Sequence, residues 1–292
     1  MIDSRLVEAF LAVTDLGSFE LAALKLNLTQ PAISQRIKAL ERLLGHVLLE
    51  RTRPVLPTAT GQQLVGYLQR SVLLQEEALR ELAPEPGRTS RITLGVNLDS
   101  LATWFPQALA QALKGEDYLI HLRLDDKSHT HHLLEKGDVM GCVSSNPTNL
   151  KGVRTTPIGE MEYVCVATAE FARQHFPEGV TREALLHAPA LTGGEIDDLH
   201  HLFIEESGIY RSQYPRWSVP SSNGIFDLCC LGLGYAWVPA VQAAARLADG
   251  HLQLLLEETR KAPLYWLSWE VMPDGVAALF KRLILEGRRL IA

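Results

Sequence analysis

Residues 17–45 read GSFELAALKLNLTQPAISQRIKALERLLG, and this stretch decides the architecture of the amino-terminal part of the chain. Ser18 is placed to cap a helix over 19–26, where Ala22 and Ala23 beside Leu21 allow close helix contact. Asn27-Leu28 reads as a tight turn, because Asn tolerates the left-handed backbone that ends a helix. Thr29 caps the next helix, and Pro31 falls in its first turn, where a missing N–H removes no hydrogen bond. Ile33, Ile37, Leu40 and Leu44 recur at helical spacing and make one apolar face, leaving Gln30, Ser34, Gln35 and Lys38 on the others. Two short helices joined by a tight turn, the second polar on its outer side, are a helix-turn-helix.

Working outward, Leu6, Val7, Phe10, Leu11 and Thr14 predict a first helix over 4–15, with Ser4 as its cap and Gly17 as its end. Downstream, Val47-Leu48-Leu49 and the turn-rich Arg51-Thr52-Arg53-Pro54-Val55-Leu56-Pro57 read as a two-stranded wing, where the prolines suit an exposed edge. From Thr58 to Leu82 the pattern is helical again, with Leu64, Leu68, Val72 and Leu79 among apolar residues on more than one side. Such a helix needs a partner, and dimerisation through it would hold two DNA-reading heads at fixed spacing. Ala83-Pro84-Glu85-Pro86-Gly87 breaks the pattern and marks a boundary. Beyond it, strand candidates at 91–96, 141–143, 163–167, 235–238 and 264–269 alternate with helical stretches. That alternation predicts α/β units around a largely parallel sheet.

Composition agrees with a soluble multidomain protein: 292 residues, 47% apolar and 21% charged. No run of eighteen apolar residues is free of charge, so a spanning helix is not expected. The start, MIDSRLVEAF, carries acids early and has no small-residue cleavage site, and a cytoplasmic location is expected. Cys142, Cys165, Cys229 and Cys230 lack any CxxC or zinc spacing and read as reduced thiols. The net charge of −6 is unevenly spread. Residues 1–58 hold seven bases and six acids, and residues 29–53 hold five bases and two acids, on an otherwise acidic chain. A local basic stripe suits contact with phosphates while the rest of the surface repels them.

The motif as a whole resembles the LysR-type regulators. Phe10, residues 17–26, residues 29–37, Leu40-Glu41 and Leu44-Gly45 carry the likeness, and Arg51-Thr52-Arg53, Thr58 and Gly61 extend it through the wing into the following helix. The resemblance implies an α/β fold class with an all-α winged helix-turn-helix amino-terminal domain and two α/β subdomains like those of periplasmic binding proteins. The expected division is a head at 1–58, a linker helix at 59–87 and an effector-binding domain at 88–292. Within the last, subdomain I would comprise 91–161 and 266–292, and subdomain II 162–265. A narrower likeness to the ArgP/LysG branch rests on Val96-Asn97, residues 99–104, Phe176-Pro177, residues 179–182, residues 197–200, Leu264-Tyr265-Trp266 and Phe19-Glu20. That branch implies lysine or arginine as effector and control of basic amino-acid export. His129, His131, His132 and Leu49 depart from its pattern.

Reading of base edges needs side chains that hydrogen-bond in the major groove, and Gln30, Ser34, Gln35, Arg36 and Lys38, beside Pro31, supply them. Thr29, Arg51, Thr52, Arg53 and Thr58 are the candidates for phosphate contacts, which set register. An effector would sit in the crevice at the carboxyl ends of the strands. Its candidate residues are Asn97, Asp99 and Ser100 after the first strand, Ser144, Ser145 and Asn146 after the next, Gly193, and Ser221 and Ser222 capping a helix near Ile225. A buried ammonium must be paired, which singles out Asp99, Asp126, Asp197 and Asp198. The expected partners are double-stranded operator DNA, the effector, a second copy of the chain (a tetramer being the other assembly) and RNA polymerase. No membrane partner, cofactor or metal is expected.

Three alternatives stay open on residues alone. A different small metabolite could be the effector. A small-molecule enzyme with an accessory bundle would need a motif such as GxSxG, a phosphate loop or HExxH, none of which occurs. A metal site could use His129 and His132, or His200 and His201, but no carboxylate or thiol at ligand spacing completes it.

Overall fold

Caps place the head's helices where the sequence puts them, with one shift. Asp3, not Ser4, caps α1 (Ser4–Leu16), its carboxylate accepting the Arg5 N–H at 2.9 Å. A carboxylate one residue upstream does the same work more strongly. Ser18 accepts the Leu21 N–H to start α2 (Phe19–Lys25), and Asn27 turns the chain at φ 53°. Thr29 starts α3 (Gln30–Leu44), which Gly45 closes in the left-handed region. The wing is β1 (Leu49–Glu50) paired antiparallel with β2 (Leu56–Pro57), and the linker helix is α4 (Ala59–Leu82). The structure, a computed structural model, describes residues 2–50, 52–82, 90–124, 130–135, 137–193 and 198–291; within these, the side chains of residues 69–70, 73–74, 76–82, 90, 130–131, 135 and 198 are not described.

Ala9, Phe10, Val13, Ala22, Ile33, Ile37, Leu40 and Leu48 form one core, and Val65 and Leu68 of α4 belong to it. Each large side chain buried there contributes about 1.5–3 kcal/mol. The start of α4 is fixed to the wing as well. Thr58 donates its hydroxyl to the Val47 carbonyl at 2.8 Å and accepts the Gly61 N–H at 3.1 Å. A Cβ on Gly61 would lie 2.0 Å from the Leu48 carbonyl oxygen, so only glycine permits this approach. The first turns of the linker are therefore packed into the head.

The rest of the chain runs β3 (Ser90–Val96), α5 (Leu98–Ala102), α6 (Phe105–Ala112), β4 (Tyr118–Leu124), α7 (Thr130–Glu135), β5 (Gly141–Ser144) and β6 (Val153–Thr168). It continues through α8 (Ala169–His175), α9 (Arg182–His187), β7 (Ala190–Thr192), α10 (Asp198–Glu206), β8 (Arg216–Ser218), α11 (Ser222–Cys230) and β9 (Ala236–Pro239). It closes with α12 (Ala240–Ala248), β10 (Leu252–Leu254), β11 (Arg260–Trp269) and α13 (Asp274–Ile291). The main sheet has the order β10-β6-β11-β5-β3-β4, with β9 also on β6.

The expected largely parallel sheet is corrected to a mixed one. Among the described strands the parallel pairings are β4-β3-β5 and β7–β8, with one isolated parallel bridge from Ala190 to Tyr235. The long strands β6 and β11 run antiparallel to each other; β11 is also antiparallel to β5 on its other side, and β6 to β9 and β10 on its own. Their apolar segments at 163–167 and 264–269 were legible, but their polar halves, such as Arg154, Thr155 and Thr156, lack the apolar run and were not read as strand. Those halves let both strands span the domain as a shared spine.

Cys142, Cys165 and Cys229 are buried and Cys230 is half-buried, all free. Burial pushes the Cys229 thiol up to about 12. His200 and His201 are buried in α10; His201 Nδ1 lies 3.0 Å from the Tyr214 hydroxyl, and the His200 ring stacks on Tyr214 at 5.6 Å. They are packed within an aromatic core rather than gathered for a metal. Among the described residues no group of three or more His, Cys, Asp and Glu is arranged to hold a metal ion. His129 lies outside the described residues, as does the His131 side chain, and His132 is exposed. Among the described residues no helix is long and apolar enough to cross a membrane.

Candidate DNA-reading face and effector crevice

The outer side of α3 carries a polar ridge. Gln30, Ser34 and Lys38 stand one turn apart on it and, with Ser18, Phe19 and Glu20 of α2 and Thr52 and Arg53 of the wing, line a cleft of about 800 Å³. Gln35 and Arg36 face the opposite flank, where Lys38, Arg42 and His46 join them. Gln30, Pro31, Gln35 and Lys38 are exposed, whereas Arg36 is half-buried and donates to the Arg5 carbonyl at 3.4 Å. Among the described residues Arg36, Lys38, Arg42 and Arg53 have no ion pair, which leaves their charges available to phosphate.

Three candidate phosphate contacts have local duties as well. Thr29 caps α3, Thr58 caps α4, and Thr52 donates its hydroxyl to the Pro54 carbonyl at 2.7 Å. Arg51 lies outside the described residues. Ser18 was singled out from sequence only as a helix cap, and Arg42 and His46 were not among the candidate DNA contacts. Arg42 follows Lys38 by one turn, a spacing that could have found it.

On the other domain, two pairs of strand ends converge. Gly95 pairs with Cys142 across β3 and β5, so Asn97 and Ser144 leave the sheet side by side. Thr192 pairs with Ser218 across β7 and β8, and the Val219 N–H donates to the Thr192 carbonyl at 2.8 Å, so Gly193 leaves this pair beside Val219, two residues before Ser221. Helix α5 lies against α11, so the two sets of ends face each other. This is the carboxyl-end crevice expected of paired α/β units.

Within it, Asn97 caps α5, its side-chain oxygen accepting the Ser100 N–H at 2.8 Å. Asn97 and Ser100 are buried, yet among the described residues the Asn97 Nδ2 and Ser100 Oγ have no hydrogen-bonding partner. Buried donors left in this way are uncommon, and a ligand, an ion or an ordered water is what satisfies them. The half-buried Asp99 accepts a hydrogen bond from the Tyr163 hydroxyl at 2.7 Å, joining α5 to the spine strand β6. Ser221 caps α11 by accepting the Gly224 N–H at 3.0 Å, and the buried Ser222 opens that helix three residues before the Ile225 expected from sequence. Ser144 is turned inward on its own loop, donating to the Asn146 carbonyl at 3.0 Å. Ser145 is half-buried and Asn146 exposed. Asp126 and Asp197 lie outside the described residues, as does the Asp198 side chain.

Comparison with known proteins follows the same division. Residues 4–62 match the family described as "Bacterial regulatory helix-turn-helix protein, lysR family", and residues 86–283 match the "LysR substrate binding domain". The HTH-type transcriptional regulator ArgP of Aeromonas salmonicida is 36% identical over 99% of this chain and 98% of its own. Among solved structures, ArgP from Mycobacterium tuberculosis superposes with a TM-score of 0.88 at 34% identity, covering 99% of both chains. Full-length LysG from Corynebacterium glutamicum, with arginine bound as effector, gives 0.81 at 31% identity over 98% of both. The polar ridge on α3, the fused linker and the two-sided crevice thus belong to a DNA-binding transcriptional regulator of the LysR family, on its ArgP/LysG branch.

Proposed function

We infer that this regulator reads its operator through α3 and is controlled by a basic amino acid, L-lysine or L-arginine, bound in the crevice. The observation that carries the effector half is the pair of buried, unpartnered donors at Asn97 and Ser100 beside a carboxylate held by Tyr163. An amino acid presents the complementary groups: its carboxylate to Ser100, Asn97 and Ser222, its ammonium to Asp99. The arginine bound to the C. glutamicum relative supports the same class of ligand. Asp126, Asp197 and Asp198 are the candidates for the cationic side chain of the effector, with Gly193, Ser145 and Asn146 at the rim. Ser144 shapes its loop and is given no direct contact.

For DNA, Gln30, Ser34, Gln35 and Lys38 enter the major groove, while Arg36, Arg42, Arg53 and the caps at Thr29, Thr52 and Thr58 follow the backbone. The head ends at residue 58, the linker at 87, and subdomains I and II exchange at the spine strands. Two copies joined through α4 place the heads about 34 Å apart, one turn of DNA. Such a regulator works in the cytoplasm, where RNA polymerase is its further partner.

Isothermal titration with L-lysine, L-arginine and the neutral analogue L-citrulline tests the effector. Saturable binding of a basic amino acid, lost with citrulline and in Asp99→Asn, is the expected result. Silence to both basic amino acids, with binding of a different metabolite, would overturn it.

A further inference from the structure

Gly66 sits in the middle of α4, where a glycine costs about 1 kcal/mol relative to alanine. Its use lies in what it touches. A Cβ at Gly66 would lie 3.3 Å from the Gly137 Cα and 3.9 Å from the Trp269 ring. Gly137, at φ 73°, is tighter still: a Cβ there would lie 2.3 Å from the Gly66 Cα and 2.6 Å from its nitrogen. The linker helix and the effector domain therefore meet backbone to backbone, and neither position admits a side chain without separating them.

Both sides of this contact are rigidly tied to a functional site. Val65 and Leu68, flanking Gly66, are buried in the core of the DNA-binding head. Gly137 donates its N–H to the Leu134 carbonyl at 2.9 Å, with Leu133 and Leu134 buried beneath it. From Gly137 the chain runs through Val139 and Met140, both buried, straight into β5, whose far end is the Ser144 loop at the crevice. The Met140 N–H donates to the Thr93 carbonyl on β3, the strand that delivers Asn97 and Ser100. One strand thus separates the seam from the crevice, and one helix turn separates it from the head.

We propose that the Gly66–Gly137 seam is the contact through which the crevice acts on the operator-reading head, so that a side chain at Gly66 uncouples the two while leaving each able to bind. The proposal rests on the effector reading above. Coupling requires an element with two arrangements that both sites bias. A backbone contact without side chains suits this, because a small shift of β5 either keeps the surfaces in register or parts them.

The test compares wild type with Gly66→Leu, and with Gln63→Leu, an exposed control on the same helix. Operator affinity is measured by fluorescence anisotropy with and without saturating L-arginine or L-lysine. Wild type and the control should show the same ratio between the two conditions, and Gly66→Leu a ratio near one. The arginine dissociation constants of its free and operator-bound forms should then converge. A wild-type ratio in a folded Gly66→Leu protein overturns the proposal. Gly66→Ala, which asks the seam to give only a few tenths of an ångström, keeps the test open if the leucine variant does not fold. It should retain an intermediate ratio, and a full wild-type ratio in it would then overturn the seam. Hydrogen exchange over residues 133–139 reads the seam without any ligand and should rise in Gly66→Leu; unchanged protection also overturns it. Wild type that binds neither amino acid overturns the effector reading instead, and the exchange measurement still decides the seam.

Discussion

Replacing Ser100 with alanine should move stability and effector affinity in opposite directions. Ser100 is fully buried, and its Oγ has no hydrogen-bonding partner among the described residues. Truncation therefore orphans no protein group, and relieves a desolvation cost of about 1–3 kcal/mol. Alanine is also the better helix former in α5. For a domain of this size each kcal/mol raises Tm by about 2–4 °C. With the effector bound, the same hydroxyl donates to a carboxylate, a hydrogen bond that contributes about 1.5–3 kcal/mol. Its loss weakens binding by roughly ten- to a hundredfold. Differential scanning fluorimetry of the ligand-free variant gives the first quantity, and isothermal titration with L-arginine and L-lysine gives the second. A lower Tm would mean that the hydroxyl is satisfied within the fold, and unchanged affinity would remove Ser100 from the site; either result refutes the reasoning.

Three further outcomes follow from the head and the core. Arg42→Ala and Arg53→Ala should each lower operator affinity on every sequence and reduce the slope of log K against log salt by about one, whereas Gln30→Ala should relax sequence preference by about 1–3 kcal/mol at one base pair, as competition binding would report. Gly61→Val should destabilise the head strongly, because even the first carbon falls 2.0 Å from the Leu48 carbonyl; urea unfolding followed by circular dichroism would register the loss. Iodoacetamide at pH 8 should label Cys230 first in the native protein, since it is only half-buried whereas the other three are buried, with Cys229 pushed up to about 12, and mass spectrometry after unfolding should find all four labelled.

The head was almost wholly legible, because its boundaries are set by local chemistry. Ser18, Thr29, Asn27, Gly17 and Gly45 each fix a helix end through their own backbone or side chain. The cap at Asp3 was missed by one residue, since Ser and Asp stand side by side and both can accept the same amide. The sheet was half legible. Apolar runs reveal strands buried on both faces, but β6 and β11 extend through polar residues that only pairing orders. The crevice was legible as a set of strand ends on the side of β3 and β5, whose apolar runs stand out, whereas β7 and β8 are only three residues each and were not read as strands. It was not legible which hydroxyls remain for a ligand. Ser144 and Thr58 satisfy their own loops, and Ser100 does not; that difference is geometric. The seam at Gly66 and Gly137 left no trace in periodicity, because a contact made of two backbones has no side chain to read.

The central claim is that one chain couples a basic amino acid in the crevice to DNA at α3. Titration of wild-type protein against its operator duplex, at fixed salt, with and without saturating L-arginine or L-lysine, tests it most directly. The account predicts that a basic amino acid shifts the operator dissociation constant by about 5- to 150-fold, the usual range of coupling between sites. Operator curves that superimpose in the absence and presence of both amino acids would contradict it.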